Sequence, residues 1–263
     1  MDQFVFITGA CINTGVAIVE KFARKGQNII FTGRNEQSVK EAESRYRKKF
    51  PNVRIIGYRL NSLVDERTVD EQAADTLFDN LDKNDILVSD LILNAADQGL
   101  GMKIFENPLV DFMRVINTNV VWNYCLAEHA ALRMKKHGGG SITFVNSNTA
   151  YRAIPDRIAY EASKGGQLGM MRGLAFDLGK YGIRVNAILP GMIKTERWEK
   201  NPEFYKNVPS RFTPLGSVAE GADVADAVWY LVKHARNTTG AELVVDGGNS
   251  IQLYPIIPEK AKL

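Results

Sequence analysis

FVFITGACINTGVAIVEKFARKG, residues 4–26, joins an apolar run to an amphipathic stretch through a loop bracketed by Gly9 and Gly15. A strand that turns through glycines into a helix can cradle phosphate on its backbone N–H groups. The loop TGACINTG (8–15) nevertheless departs from the G-x-G-x-x-G dinucleotide fingerprint, because Ala10 and Cys11 replace the middle residue and the second glycine. It departs from the P-loop as well, since Val16 and not lysine follows Gly15. The stretch therefore sets a strand, a loop and a helix, and leaves the ligand to the rest of the chain.

The same alternation continues outward. Strand-like runs fall at 4–7, 28–31, 53–58, 91–93, 141–146, 184–189 and 242–246. Helix-like stretches fill the gaps at 15–25, 36–49, 65–80, 108–136, 157–181 and 221–235. Strand–helix alternation predicts an α/β, doubly wound, Rossmann-type sheet of about seven mostly parallel strands, with helices on both faces. Ligands bind such sheets beyond the carboxyl ends of the strands. No Pro/Gly/Ser-rich linker divides residues 1–263, so we read one domain. The least regular part, 190–219, holds four of the nine prolines and reads as a substrate loop or lid.

Composition narrows the class. Of 263 residues, 45% are hydrophobic and 24% charged, which is ordinary for a globular chain that closes a core without staples. The net charge of +3 is spread along the chain, so no nucleic-acid partner is expected. RYRKK (45–49) reads as the cationic end of an exposed helix. Cys11 and Cys125 make no disulfide framework, and His129, His137 and His234 have no metal-ligand spacing, so no metal is expected. No run of 18 apolar residues suggests a membrane span, and no signal-like n-region and h-region precede the first strand. The expected compartment is the cytoplasm.

The chemistry gathers in AYEASKGG, 159–166. Tyr160 and Lys164 lie four apart on a helical stretch and share one face. Ser147 comes just past the carboxyl end of SITFVN, where a site in this architecture belongs. A serine hydroxyl there and a tyrosine at the start of the next helix can meet at one substrate oxygen. A free phenol has a pKa near 10, too high for acid–base work at neutral pH. A nearby ammonium is expected to lower it.

With these residues in view, the chain resembles the short-chain dehydrogenase/reductase family along nearly its whole length, from TGACINTG to VVDGG (244–248). The resemblance implies that Tyr160 is the general acid/base and Ser147 orients the substrate oxygen. It implies that Lys164 binds the nicotinamide ribose and tunes Tyr160. A fourth catalytic residue is an asparagine, assigned to Asn119 by its distance from MKKHGGGS, with Asn117 as the rival. NAA (94–96), PGMIKT (190–195) and TPLG (213–216) match further family segments. Expected cofactor contacts are Gly9, Cys11, Asn13, Thr14 and Gly15 of the loop, then Arg34 and Asn61. Asn94, Ala95, Ala96, Pro190, Gly191, Ile193 and Thr195 complete them, with Tyr160 and Lys164.

The family loop reads T-G-x-x-x-G-x-G, so Asn13 stands at its middle glycine. Asparagine tolerates the left-handed backbone that such a glycine supplies, and the loop is expected to keep its shape. Trp122 occupies a position where glycine is common in the family, and the sequence offers no account of it.

Which nicotinamide is bound turns on FTGRN, 31–35. Enzymes that use NAD commonly carry an acid at the end of the second strand. Here Gly33 takes that place and Arg34 follows, so NADP(H) is expected and NAD(H) is the alternative.

The expected function is interconversion of a carbonyl and a secondary alcohol by hydride transfer, as in a 3-oxoacyl thioester reductase. The alternatives are an NAD(H)-linked sugar or polyol dehydrogenase, and a dinucleotide-binding regulator without turnover. The partner is a small carbonyl or alcohol molecule. Substrate contacts are expected around Met192, Trp198 and Phe204, with residues near Asp97, Asn148 and Arg152. By resemblance the chain is expected to form a homotetramer. Val120, Val121, Leu126, Leu168, Met171 and Leu174 suit that contact and suit packing on the sheet equally. The tail YPIIPEKAKL (254–263) is a further candidate for subunit packing.

Overall fold

The computed structural model describes residues 1–106 and 108–256. The last residues of the 254–263 tail, from 257 on, and the side chain of Phe204 lie outside the described part. The chain begins β1 (Asp2–Ile7), α1 (Asn13–Arg24), β2 (Asn28–Gly33), α2 (Glu36–Lys49) and β3 (Ile55–Arg59). A hairpin of β4 (Leu63–Asp65) and β5 (Thr68–Val69) precedes α3 (Glu71–Lys83) and β6 (Ile86–Leu93). Next come α4 (Leu109–Ile116), a π-helical turn (Asn117–Val121), α5 (Trp122–Lys136) and β7 (Gly140–Val145). They are followed by α6 (Ile158–Leu178), β8 (Ile183–Pro190) and the short helices α7 (Glu196–Lys200), α8 (Pro202–Tyr205) and α9 (Val208–Phe212). α10 (Gly221–Trp229) runs into a second π turn (Tyr230–His234), and β9 (Glu242–Val245) closes the sheet.

Seven strands pair in the order β3-β2-β1-β6-β7-β8-β9. All of these pairings are parallel. A parallel sheet must be apolar on both faces, and strand alternation supplies this. Phe4 and Phe6 of β1 point into one core, with Ile142 and Phe144 of β7 and the helices α3, α5 and α6. Val5 and Ile7 point into the other, with α1, α2 and α10. Burying one such side chain contributes about 1.5–3 kcal/mol, so the two layers fix the register of every strand.

The strand order reverses between β1 and β6, which opens a crevice at their carboxyl ends. The 8–15 loop and the segment after Leu93 face each other across it.

Two expectations need correction. Residues 65–70 are not helical. Asp65 accepts hydrogen bonds from the Arg67 and Thr68 N–H groups at 2.8 and 2.9 Å, and this local turn forms the hairpin. Asp70 then caps α3 through Ala73 N–H at 3.1 Å. The long stretch 108–136 is not one regular helix either, because the π turn interrupts it.

RYRKK does end α2, with Arg47, Lys48 and Lys49 in its last turn. Leu126, Leu168 and Met171 pack against the sheet, whereas Val121 is exposed.

Candidate active site

A cavity of about 440 Å³ occupies the crevice. Its floor is stitched at the switch point. The Thr8 hydroxyl accepts from Asn94 N–H and Ala95 N–H at 2.9 and 3.0 Å. The Asn94 amide donates to the carbonyls of Thr8 and Gly9, both at 3.0 Å. Gly9 has φ +65°, and a Cβ there would lie 2.9 Å from Ala95. Asn13 has φ +49°, the left-handed backbone expected of it. A Cβ at Gly15 would collide with the carbonyl of Gly9, so that residue must be glycine for the loop to fold back. α1 starts after Ile12 with no side-chain cap. Its first N–H groups are therefore free for an anion.

These features fit a dinucleotide. The uncapped helix start and the glycine cradle suit the pyrophosphate. Gly191, where a Cβ would meet Asp246 at 2.6 Å, presents only its backbone to the cavity.

At the far end Gly33, Arg34, Asn35 and Ser38 line the cavity. No ion pair to Arg34 is present among the described residues. Cys11 packs its Sγ against Gly33, so a side chain at 33 has no room. Burial pushes the Cys11 thiol up, with Arg45 acting against it, so the thiol is a poor source of thiolate.

At the other end Ser147, Tyr160 and Lys164 line the same cavity. Ser147 follows β7 and accepts from Thr149 N–H and Oγ at 3.2 and 2.9 Å. Its hydroxyl acts on the phenol of Tyr160, in the first turn of α6, in the direction that lowers its pKa. Lys164 is buried, and its Nζ donates to Val145 O at 3.0 Å and Gln167 Oε1 at 3.2 Å. Nζ sits 5.5 Å from the centre of the Tyr160 ring.

The electrostatics differ from the expectation that the ammonium lowers the phenol. Burial pushes the Tyr160 phenol up, and the Ser147 hydrogen bond and the Arg157 guanidinium only oppose this. Burial also brings Lys164 down to about 7. In a site this dry each group is shifted towards its neutral form, and the Lys164 ammonium is still present around neutral pH.

Asn119 does not line the cavity. It is fully buried and clamps Asp97, accepting from its N–H at 2.7 Å and donating to its carbonyl at 2.8 Å. A further bond of 2.9 Å reaches Ser163. Asn117 points away and donates to Arg67 O at 2.8 Å. Asn61 is likewise absent from the cavity wall, where its neighbours Leu60 and Ser62 stand. Thr195 lines an adjoining cavity with Lys194 and with Cys11, Ile12, Asn13 and Thr14 of the loop.

Cys11, Asn13, Thr14, Ala95, Ala96, Pro190 and Ile193 do face the main cavity. Of the residues expected near substrate, Asp97 lines it and pairs with Arg114. Asn148 and Arg152 instead bond to residues 249–252. Trp198 stacks on Tyr205 at 4.4 Å. Trp122 now has a place: it is buried in the core and forms cavity wall one turn after Thr118.

Sequence reading missed Gln98, Thr118 and Asn146 in the wall and Gln167 behind it. The polar Gln167 within the apolar face of α6 was the available signal. No group of three or more His, Cys, Asp or Glu among the described residues could hold a metal. No helix among them is long and apolar enough to cross a membrane.

The geometry defines a Rossmann-type dinucleotide site with a Ser–Tyr–Lys group at its open end. The family model described as enoyl-(acyl carrier protein) reductase matches residues 9–250. An uncharacterized oxidoreductase of Thermotoga maritima is 31% identical over 94% of this chain and 95% of its own. A 3-oxoacyl-[acyl-carrier-protein] reductase of Rickettsia bellii is 30% identical over 94% of this chain and 96% of its own. A solved 7α-hydroxysteroid dehydrogenase in complex with NADH and a 7-oxo bile acid superposes with a TM-score of 0.82. That structure is 29% identical and covers 94% of this chain and 93% of its own. The chain belongs to the short-chain dehydrogenase/reductase family. It is an oxidoreductase of the carbonyl/alcohol type that works with a nicotinamide dinucleotide.

Proposed function

We propose that the protein is an NADP(H)-dependent carbonyl reductase, with Tyr160 as its acid/base. The observation that carries the acid/base role is the shared wall of Ser147, Tyr160 and Lys164. The bound dinucleotide supplies or accepts the hydride. Tyr160 gives its phenolic proton to the carbonyl oxygen during reduction and takes it back during oxidation. Ser147 holds that oxygen by hydrogen bond. Lys164 holds the ribose, while Ser147 and the Arg157 guanidinium favour the phenolate when the proton leaves. Asn119 keeps the Asp97 segment in place from behind the site. The 190–219 segment closes over substrate.

Preference for NADP(H) rests on Arg34, which faces the cavity without an acidic partner among the described residues, and on the absence of a side chain at Gly33. The substrate proposed is a 3-oxoacyl thioester, on the strength of the Rickettsia relative. We further propose a homotetramer assembled through the outer faces of α5, the π turn before it and α6, where Val121, Tyr124, Leu132 and Phe176 are exposed. Light scattering in solution tests it, and a monomer would refute it.

The function is tested by fluorescence titration with NADPH and NADH, followed by NADPH oxidation in the presence of acetoacetyl thioester. Tyr160→Phe should bind NADPH as the parent does and lose nearly all turnover. Retained turnover would remove Tyr160 from its role, and binding of neither dinucleotide would favour another use of the fold.

A further inference from the structure

Behind Lys164 lies an amide that belongs to no motif. Gln167 is one turn further along α6 and 1% exposed. Its Nε2 donates to the main-chain carbonyl of Asn119 at 2.6 Å. Its Oε1 accepts from Lys164 Nζ at 3.2 Å and from the Asn146 amide at 3.1 Å. The Asn146 amide also donates to the Lys164 carbonyl at 3.0 Å.

The Asn119 carbonyl is reachable because of the π turn. Trp122 N–H bonds to Asn117 O, five residues back, and this widened winding opens carbonyls to side chains. Asn123 donates to the same Asn119 carbonyl at 2.8 Å. The amide of Gln167 thus ties the irregular turn to the ammonium.

An ammonium has three N–H donors. Val145 O and Gln167 Oε1 take two, and Lys164 also faces the cavity. A buried ammonium without such acceptors would be costly and free to turn away. Its other neighbours carry no charge. β7 presents the Val145 carbonyl and is followed by Asn146, and the π turn presents only neutral side chains. Tyr160 is the titratable group against it, while Asp97 across the cavity is paired with Arg114.

We propose that Gln167 is a positioning residue for this site: its amide holds the Lys164 ammonium towards the cavity by anchoring it to the Asn119 carbonyl. This rests on the reading of Lys164 as the cofactor-side residue. A Gln167 that only filled space would show no coupling to Lys164.

The test uses Gln167→Met and Gln167→Glu, each alone and combined with Lys164→Met. NADPH is titrated by nicotinamide fluorescence, and the cofactor-free protein is unfolded in urea at pH 7 and 9.5. Gln167→Met should weaken NADPH about tenfold alone and less than about twofold when Lys164 is already methionine.

The unfolding arm needs no cofactor. Lys164 loses its proton near 7 in the folded chain, whereas an unfolded lysine keeps it to about 10.4. The unfolded chain then binds more protons between these values, so stability rises from pH 7 to 9.5. Lys164→Met should lack that rise. Gln167→Glu should flatten it, because a carboxylate at this position keeps Lys164 protonated.

Equal loss of affinity in both backgrounds, with an unchanged pH slope in Gln167→Glu, would overturn the proposal. If Gln167→Met does not fold, the isosteric Gln167→Glu carries both readouts. If the parent binds no dinucleotide, the proposed function fails, and the unfolding arm still decides whether Gln167 acts on Lys164.

Discussion

Cys11 fills the space that a side chain at Gly33 would need. The phosphate loop and the end of β2 are matched in shape, and Gly33 is bare for a packing reason. Val39 Cγ2, 2.9 Å from the same point, closes the other side. Overpacking of this kind typically costs about 1–3 kcal/mol. Gly33→Ala should lose that much stability in urea unfolding. Adding Cys11→Ala should restore part of it. Simple additivity of the two losses would show that the contact is not the cause.

Arg34 is the charge available for a 2′-phosphate at this end of the cavity. Hydrogen bonds to charged groups contribute about 1.5–3 kcal/mol. Arg34→Ala should therefore weaken NADPH by about ten- to a hundredfold and NADH hardly at all. Parallel titrations check this, and equal losses for the two would remove Arg34 from the specificity argument.

Asn13 has a left-handed backbone, with φ +49°. A side chain with a Cβ and no local hydrogen bonding costs about 1–2 kcal/mol there. Asn13→Ala should lose that stability, and Asn13→Gly should retain both stability and NADPH affinity. A loss of affinity in the glycine variant would assign the amide itself a role at the phosphates.

Arg157 donates to Gln98 O at 2.7 Å and acts electrostatically on Tyr160. Its charge opposes the upward push of burial on the phenol, so Arg157→Ala should raise the Tyr160 pKa further. A phenol whose pKa is raised by folding keeps its proton where the unfolded chain has lost it, so stability falls as pH rises above about 10; the direct readout is the ultraviolet tyrosinate titration. The variant's Tyr160 signal should appear at higher pH than the parent's, with Tyr160→Phe identifying the band. An unmoved titration would show that Arg157 does not tune the site.

Lys233 and Asp90 pair at 2.7 Å at the opposite end of the sheet from the cavity, and Asp90 also holds Ser141 at 2.7 Å. Removing one partner of a buried pair costs about 3–5 kcal/mol. Lys233 is about a quarter exposed, so Lys233→Met should fall near or below the lower end. NADPH affinity should stay within about twofold, since the pair is remote from the site. A large loss of affinity would mean that the sheet transmits the change.

By itself the sequence determined the architecture. Each of the seven sheet strands was legible as a short apolar run, because both faces of a parallel sheet must be buried. The spacing of Tyr160 and Lys164 was legible too, since a helix places residues four apart on one side. So was the backbone at Asn13, because few side chains tolerate its conformation. What escaped depends on contacts between distant parts of the chain. The 63–69 hairpin replaced the start of a helix through side-chain bonds of Asp65, which periodicity does not register. Asn119 and Asn117, two apart on a helix, face opposite sides, and only packing decided that Asn119 is the inward one. Gln167 met Lys164 and Asn119, and Cys11 met Gly33, only when strands and helices packed. Local patterns are written along the chain, whereas these pairings exist only once tertiary packing has fixed which faces meet and how dry the space between them is.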